Sequence, residues 1–325
     1  MSILLFPLIS LLFSECSGKN VSGEECSGWQ IRRFDTDLYA WLFNDGPSVL
    51  NETDRLFPDE FGRHVIYIGT SDSAGFEERL KKYFSEPTLR NLYKDEQDIM
   101  RDITPINKEL ASGMKVLLEN FPFLNPPLIY LHVSGLNQNI ILTDSILSLS
   151  ADKYLGAGYP LYQNFFYDYQ RQLMTPERIV PDYLLGFMMG NFPFKGNSEV
   201  LLDRILYEGK LRYILSRLIP SREIWEYTAY DEEQYKWCKN QEGKIWKLIL
   251  ENKHLFTPNI RVTEQYINPA PHTAFLPAES PGRVGIWLGF RIVGSYMKKN
   301  SSLSLQDLME MTDYGELLKK SEYKP

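Results

Sequence analysis

The chain has 325 residues, 43% of them hydrophobic and 14% aromatic, which is enough apolar material for a large core. A formal net charge of −7 with no basic stripe excludes nucleic-acid binding, which needs lysines and arginines gathered against phosphates. No stretch reaches the roughly 18 apolar residues of a spanning helix, so any membrane attachment falls to a lipid.

In chain order, Ile3 to Phe13 is a short apolar run followed by Ser14-Glu15-Cys16-Ser17-Gly18, the pattern of an export signal ending at a cysteine to be lipidated. Residues 1–15 then form a signal peptide, 16–28 a small polar tether, and 29–325 a single folded domain. Glu15 departs from the small side chain usual before a cleavage site, and no Lys or Arg precedes the apolar run. An ordinary cleaved signal is the alternative, in which case Cys16 has no such role. Cys26 and Cys238 are candidates for a disulfide after export, a pairing that two cysteines alone do not decide.

Helical patterns follow at Phe76 to Phe84, Glu86 to Met100 and Asp102 to Leu118, stopped by Pro126-Pro127. Leu128 to Val133, Ile140 to Thr143 and Ser145 to Ser150 read as strands, the first two separated by a turn at Gly135 to Asn139. Beyond them come helices at Tyr162 to Met174, Pro181 to Met189, Val200 to Leu218, Glu232 to Lys253, Val284 to Lys298 and Leu305 to Lys320. This order predicts an α+β fold, mainly helical, with a small sheet, a long buried helix and no alternating βαβ pattern.

The buried helix spans Leu201 to Leu218 and carries Glu208 and Lys210 among apolar neighbours. Two positions apart, they face nearly opposite sides of the helix, so each needs its own partner. A small sheet followed by such a helix is the layout of zincin-type metallopeptidases, whose helix carries His-Glu-x-x-His to hold zinc and activate water. The corresponding window here is Tyr207-Glu208-Gly209-Lys210-Leu211, with the glutamate but neither histidine. The four histidines, His64, His132, His254 and His272, include no pair four apart, so a helical zinc motif is excluded. The expectation is a zincin-like fold without zinc ligands, with no cofactor and no catalytic residue.

Several segments carry a family resemblance: Asp152-Lys-Tyr-Leu-Gly156 with Tyr159-Pro160, Glu208-Gly-Lys210 with Tyr213, and Glu242 with Ile245-Trp246. It continues through Asn268-Pro-Ala-Pro-His-Thr273, Ser280-Pro-Gly-Arg283, Gly285-Ile-Trp287 with Gly289, and Ser321-Glu-Tyr-Lys-Pro325. In these the chain resembles the gliding motility lipoprotein GldB family of the Bacteroidota. The resemblance implies an exported lipoprotein, related to predicted zinc peptidases that have lost their ligands, acting with the gliding machinery and the associated type IX secretion system. It also implies envelope proteins as partners and a lipid anchor at Cys16, with the body facing the periplasm or attached to the outer membrane.

Physical roles for the motif residues need no catalysis. Asp152 is placed to accept hydrogen bonds in a turn after the sheet. Gly285 and Gly289, four apart, leave room for another element. Glu242 shares a helix face with Trp246 and is a possible partner for Lys210 or Arg283. Glu208, Lys210, Tyr213, Glu242, Arg283 and Asp152 are therefore structural or cleft residues. Two further readings stand beside the non-catalytic one: a periplasmic hydrolase using Glu208, and a module binding peptide or glycan in a cleft.

Overall fold

The computed structural model describes residues 29–50, 55–137 and 139–325. Cys16, Cys26, the signal and the tether lie outside the described residues. At the centre is a four-stranded sheet of β1 (Arg32–Arg33), β2 (Leu128–His132), β3 (Ile140–Leu142) and β4 (Ile146–Ser150), in the order β1-β2-β4-β3. β1 and β4 run parallel to β2, and β3 pairs antiparallel with β4. The segment between β1 and β2 holds α1 (Phe34–Phe43), α2 (Leu56–His64), α3 (Phe76–Phe84), α4 (Pro87–Ile99) and α5 (Thr104–Asn120). After the sheet come α6 (Asp168–Arg171), α7 (Ile179–Asn191), α8 (Leu201–Leu218), α9 (Glu232–Glu251), α10 (Ile260–Ile267), α11 (Val284–Lys299), α12 (Leu305–Glu310) and α13 (Tyr314–Ser321). The fold is therefore α+β and mainly helical, and no described helix is long and apolar enough to cross a membrane.

The sheet is covered on both faces, and its strands show why. Along β2 and β4, Ile129, Leu131, Leu147 and Leu149 join the large core under the later helices, while Tyr130 and Ile146 join a smaller, aromatic core under α1–α4. Alternate residues point to opposite faces, so two covered faces leave every residue of β4 buried and erase polar alternation.

Two additions and two corrections to the sequence reading follow from tertiary contacts. β1 is only two residues long and carries two arginines, so no strand signal marks it; its pairing with β2 closes a parallel crossover that the sequence order does not reveal. β2 and β3 are not neighbours despite the turn between them, because β4 lies between them. The helix expected over Tyr162 to Met174 is reduced to a 3-10 turn and the single turn of α6. There Tyr162 is fully buried, accepting from Leu155 N and donating to Asp152 O, while Phe165 and Tyr167 are exposed, so no continuous apolar stripe exists. The helix expected over Leu305 to Lys320 breaks at Met311, which is extended, and α13 restarts with Asp313 accepting from Glu316 N.

α8 is buried nearly all round, and α11 crosses it at contact distance between backbones. A Cβ on Gly289 would stand 1.7 Å from the carbonyl oxygen of Ile205, and one on Gly209 would stand 2.3 Å from the carbonyl of Gly289. Glycine is required at this crossing for closeness, the role expected of Gly289 and Gly285.

Candidate functional site

Because Gly209 faces α11, its neighbours Glu208 and Lys210 emerge on either side of the crossing. Glu208 is 7% exposed and lies between two arginines one helical turn away on either side, Arg204 Nη2 at 3.7 Å from Oε1 and Arg212 Nη2 at 3.4 Å from Oε2. Lys210 is 1% exposed and has no carboxylate within 4 Å among the described residues; its Nζ donates to the carbonyls of Met309 (3.1 Å) and Met311 (2.8 Å). Those carbonyls are freed by the break between α12 and α13. The Lys210 ammonium also sits 5.2 Å from the centre of the Tyr314 ring, and burial, aided by Lys195, pushes its pKa down to about 8. The expected opposition of Glu208 and Lys210 holds, but the expected acidic partner of Lys210 is replaced by backbone oxygens.

The remaining site residues are spread apart. Asp152 is fully buried at the end of the sheet, where it accepts from Ser134 N (3.0 Å), Leu136 N (2.6 Å) and the Ser150 hydroxyl, the expected turn role. Tyr213 is half-buried, with the Arg217 guanidinium 5.7 Å from its ring centre. Glu242 pairs with neither Lys210 nor Arg283: Arg291 Nε lies 2.9 Å from its Oε1, and the Tyr323 hydroxyl donates to it. Arg291 stands two turns along α11 from Arg283, beside the packed C-terminal segment, and so reaches Glu242 instead. Among the described residues no three His, Cys, Asp or Glu side chains are placed to hold a metal ion. The Cys238 thiol is buried, which pushes its pKa up to about 12; Cys26 lies outside the described residues.

Arg283 leads to a cavity of about 750 Å³. One wall is made by two of the motifs noted in the sequence, Asn268–Thr273 and Ser280–Arg283, which pack backbone to backbone. Thr273 bonds Pro281 O through both its N–H (3.1 Å) and its hydroxyl (2.9 Å), and a Cβ on Gly282 would stand 2.1 Å from Ala270 O. Tyr230 donates to Gly282 O at 2.7 Å. Arg283 itself has a left-handed φ of 60° and donates through Nη2 to Thr228 O (3.3 Å) and Ala229 O (3.1 Å). Its Nε and Nη1 have no partner among the described residues.

Two more arginines lie close to Arg283 electrostatically. Arg178 lines the cavity and is held by Asp182 (2.7 Å) and Glu226 O (3.0 Å). Arg212, the partner of Glu208, is 8% exposed with its Nη1 buried and unpartnered. Burial above all, then the charges of Arg212 and Arg178, push the Arg283 pKa down to about 10. Burial also lowers that of Arg212. The lining also includes Tyr167 and Tyr169, whose rings are stacked with centres 5.8 Å apart and 9° between planes; Tyr167 is 72% exposed.

Glu208 thus pairs with Arg212, whose charge is felt at Arg283, whereas Asp152 and Glu242 stand apart. Arg178, Asp182, Arg212 and Tyr167 escaped the sequence reading. Arg212 was within its reach, four residues after Glu208 on the same helix; no motif or spacing marks Tyr167, Arg178 or Asp182, whose roles depend on contacts made across the fold.

No curated protein and no solved structure matches the chain. A family model described as gliding motility protein GldB, and named as a lipoprotein family, matches residues 17–325.

Proposed function

The chain belongs to the gliding motility protein GldB family, and from that premise we propose that it is a non-catalytic, lipid-anchored envelope component of gliding and secretion machinery. In this reading residues 1–15 are removed, Cys16 carries the lipid, 16–28 tether the body, and 29–325 present a surface to envelope partners. The family match begins at the residue following Cys16, in keeping with that division.

The observation that carries the non-catalytic part is the setting of Glu208. A general base must offer a free lone pair to a water or substrate proton within about 2.6–3.2 Å. Here a guanidinium stands at each carboxylate oxygen, the group is 7% exposed, and it does not line the cavity. An acid in that position acts as architecture, fixing Arg212 inside the fold. A peptidase ancestry, with the ligand positions of the zinc motif replaced by Tyr207 and Leu211, accounts for a buried acid at this place in the helix.

The test has two arms. In cells lacking the native copy, wild-type protein should partition with membranes and take up palmitate, while Cys16→Ala should do neither and should fail to restore colony spreading. Purified protein, with and without added zinc, should cleave no member of a diverse peptide mixture. Cleavage that Glu208→Gln removes, in a variant with unchanged circular dichroism, would overturn the reading.

A further inference from the structure

We propose that the cavity lined by Arg283 and the tyrosine pair is a binding site for an acidic oligosaccharide of the uronic-acid type, its carboxylate on Arg283 and a sugar ring against Tyr167 and Tyr169. This stands apart from the question of catalysis, since Glu208 does not line the cavity.

The volume, about 750 Å³, lies within the range of about 300–1,000 Å³ typical of ligand sites. Arg178 and Arg283 line the cavity, with Arg212 buried within electrostatic reach of both. Asp182 holds Arg178 and Glu208 holds Arg212, whereas no carboxylate stands within 4 Å of Arg283 among the described residues. Arg283 has two nitrogens to spare at the cavity wall, and Arg212 keeps one buried nitrogen without a partner behind it. A ligand carboxylate in the cavity gives Arg283 the counter-charge and the acceptors it lacks.

The acidic part of the lining narrows the class of ligand. Asp168, Glu177, Glu226 and Asp231 all contribute to the lining, so a polyphosphate or a strongly acidic peptide would meet four carboxylates on entry. A uronic-type saccharide carries one charge per ring and several neutral hydroxyls, which donate to carboxylates instead of being repelled by them. Gln172 and Gln234 add both donors and acceptors to the same lining. The stacked tyrosines offer an exposed flat face with polar tips, suited to a ring that is apolar on its faces and hydroxylated at its edge.

Titration calorimetry on the mature chain with trigalacturonate, trimannuronate and neutral galactotriose tests the proposal. One of the two uronates should bind saturably at one site per chain, at least tenfold more tightly than the neutral sugar, and more weakly as salt rises. Tyr167→Ala, a change at an exposed side chain, should weaken that binding at least fivefold with no shift in thermal midpoint. Arg283→Gln should erase the preference for the acid over the neutral sugar. The proposal is overturned if neither uronate binds saturably, if galactotriose binds equally well, if Tyr167→Ala leaves affinity unchanged, or if an acidic tripeptide binds more tightly than either uronate.

Discussion

Alanine at Gly289 and alanine at Gly294 are the same substitution on one helix, five residues apart, and should have opposite effects on stability. At Gly289 the new Cβ would stand 1.7 Å from Ile205 O and 2.6 Å from Ile205 C, where ordinary contact begins at 3.4 Å. Both atoms are backbone of α8, so no side chain can swing aside, and α8 and α11 must part by about as much as the overlap. Overpacking a core commonly costs about 1–3 kcal/mol, and a rigid backbone obstacle puts this case at or above the upper end. Separation also forfeits dispersion along the crossing, since a radial gap of about 0.5–1 Å loses a quarter to a half of each contact. We expect Gly289→Ala to cost at least about 3 kcal/mol, a large part of the roughly 5–15 kcal/mol that stabilises a typical domain. At Gly294 nothing lies within 4 Å of the added methyl, and the helix gains the usual alanine advantage of about 0.5–1 kcal/mol. Urea unfolding followed by far-ultraviolet circular dichroism measures both. A Gly289→Ala midpoint within 1 kcal/mol equivalent of the parent would show that the helices are not in backbone contact.

Two pH-dependent predictions come from buried charges. Glu96 is fully buried beside Asp35, and burial, then the Asp35 charge, raise its pKa well above 4.5. The folded protein therefore holds a proton that the unfolded chain releases, so this group's contribution to stability is greatest below pH 4.5 and falls by about 1.4 kcal/mol per unit above it, until the folded group titrates. Glu96→Gln should remove that decline and be the more stable form at pH 8; parallel urea midpoints at pH 4, 6 and 8 would refute this. Lys210 has the opposite sign: with its pKa pushed down to about 8 from 10.5, the folded state binds fewer protons, and stability rises between those values. Lys210→Met should flatten that rise, and an unchanged slope between pH 8 and 10 would refute the assignment.

The long helices, the strands β2 and β4, the buried helix with its two opposed charges, the glycine crossing and the family were legible in the sequence, because apolar period, cap residues and spacing are local. Gly285 and Gly289 lie one turn apart, and Glu208 and Lys210 lie two positions apart, whatever the rest of the chain does. Partners and breaks were another matter. Lys210 finds the carbonyls of Met309 and Met311, about a hundred residues away in sequence, only because α12 and α13 separate there. Glu242 meets Arg291 instead of Arg283, and Arg32–Arg33 becomes a strand only when β2 is alongside. The cavity is likewise a product of the fold, bringing Tyr167, Arg178, Pro271 and Arg283 from separate segments to one lining. Local pattern decides where a chain becomes helix or strand, because it depends on neighbours in sequence. Which charge meets which acceptor depends on distances that exist only once those elements have packed.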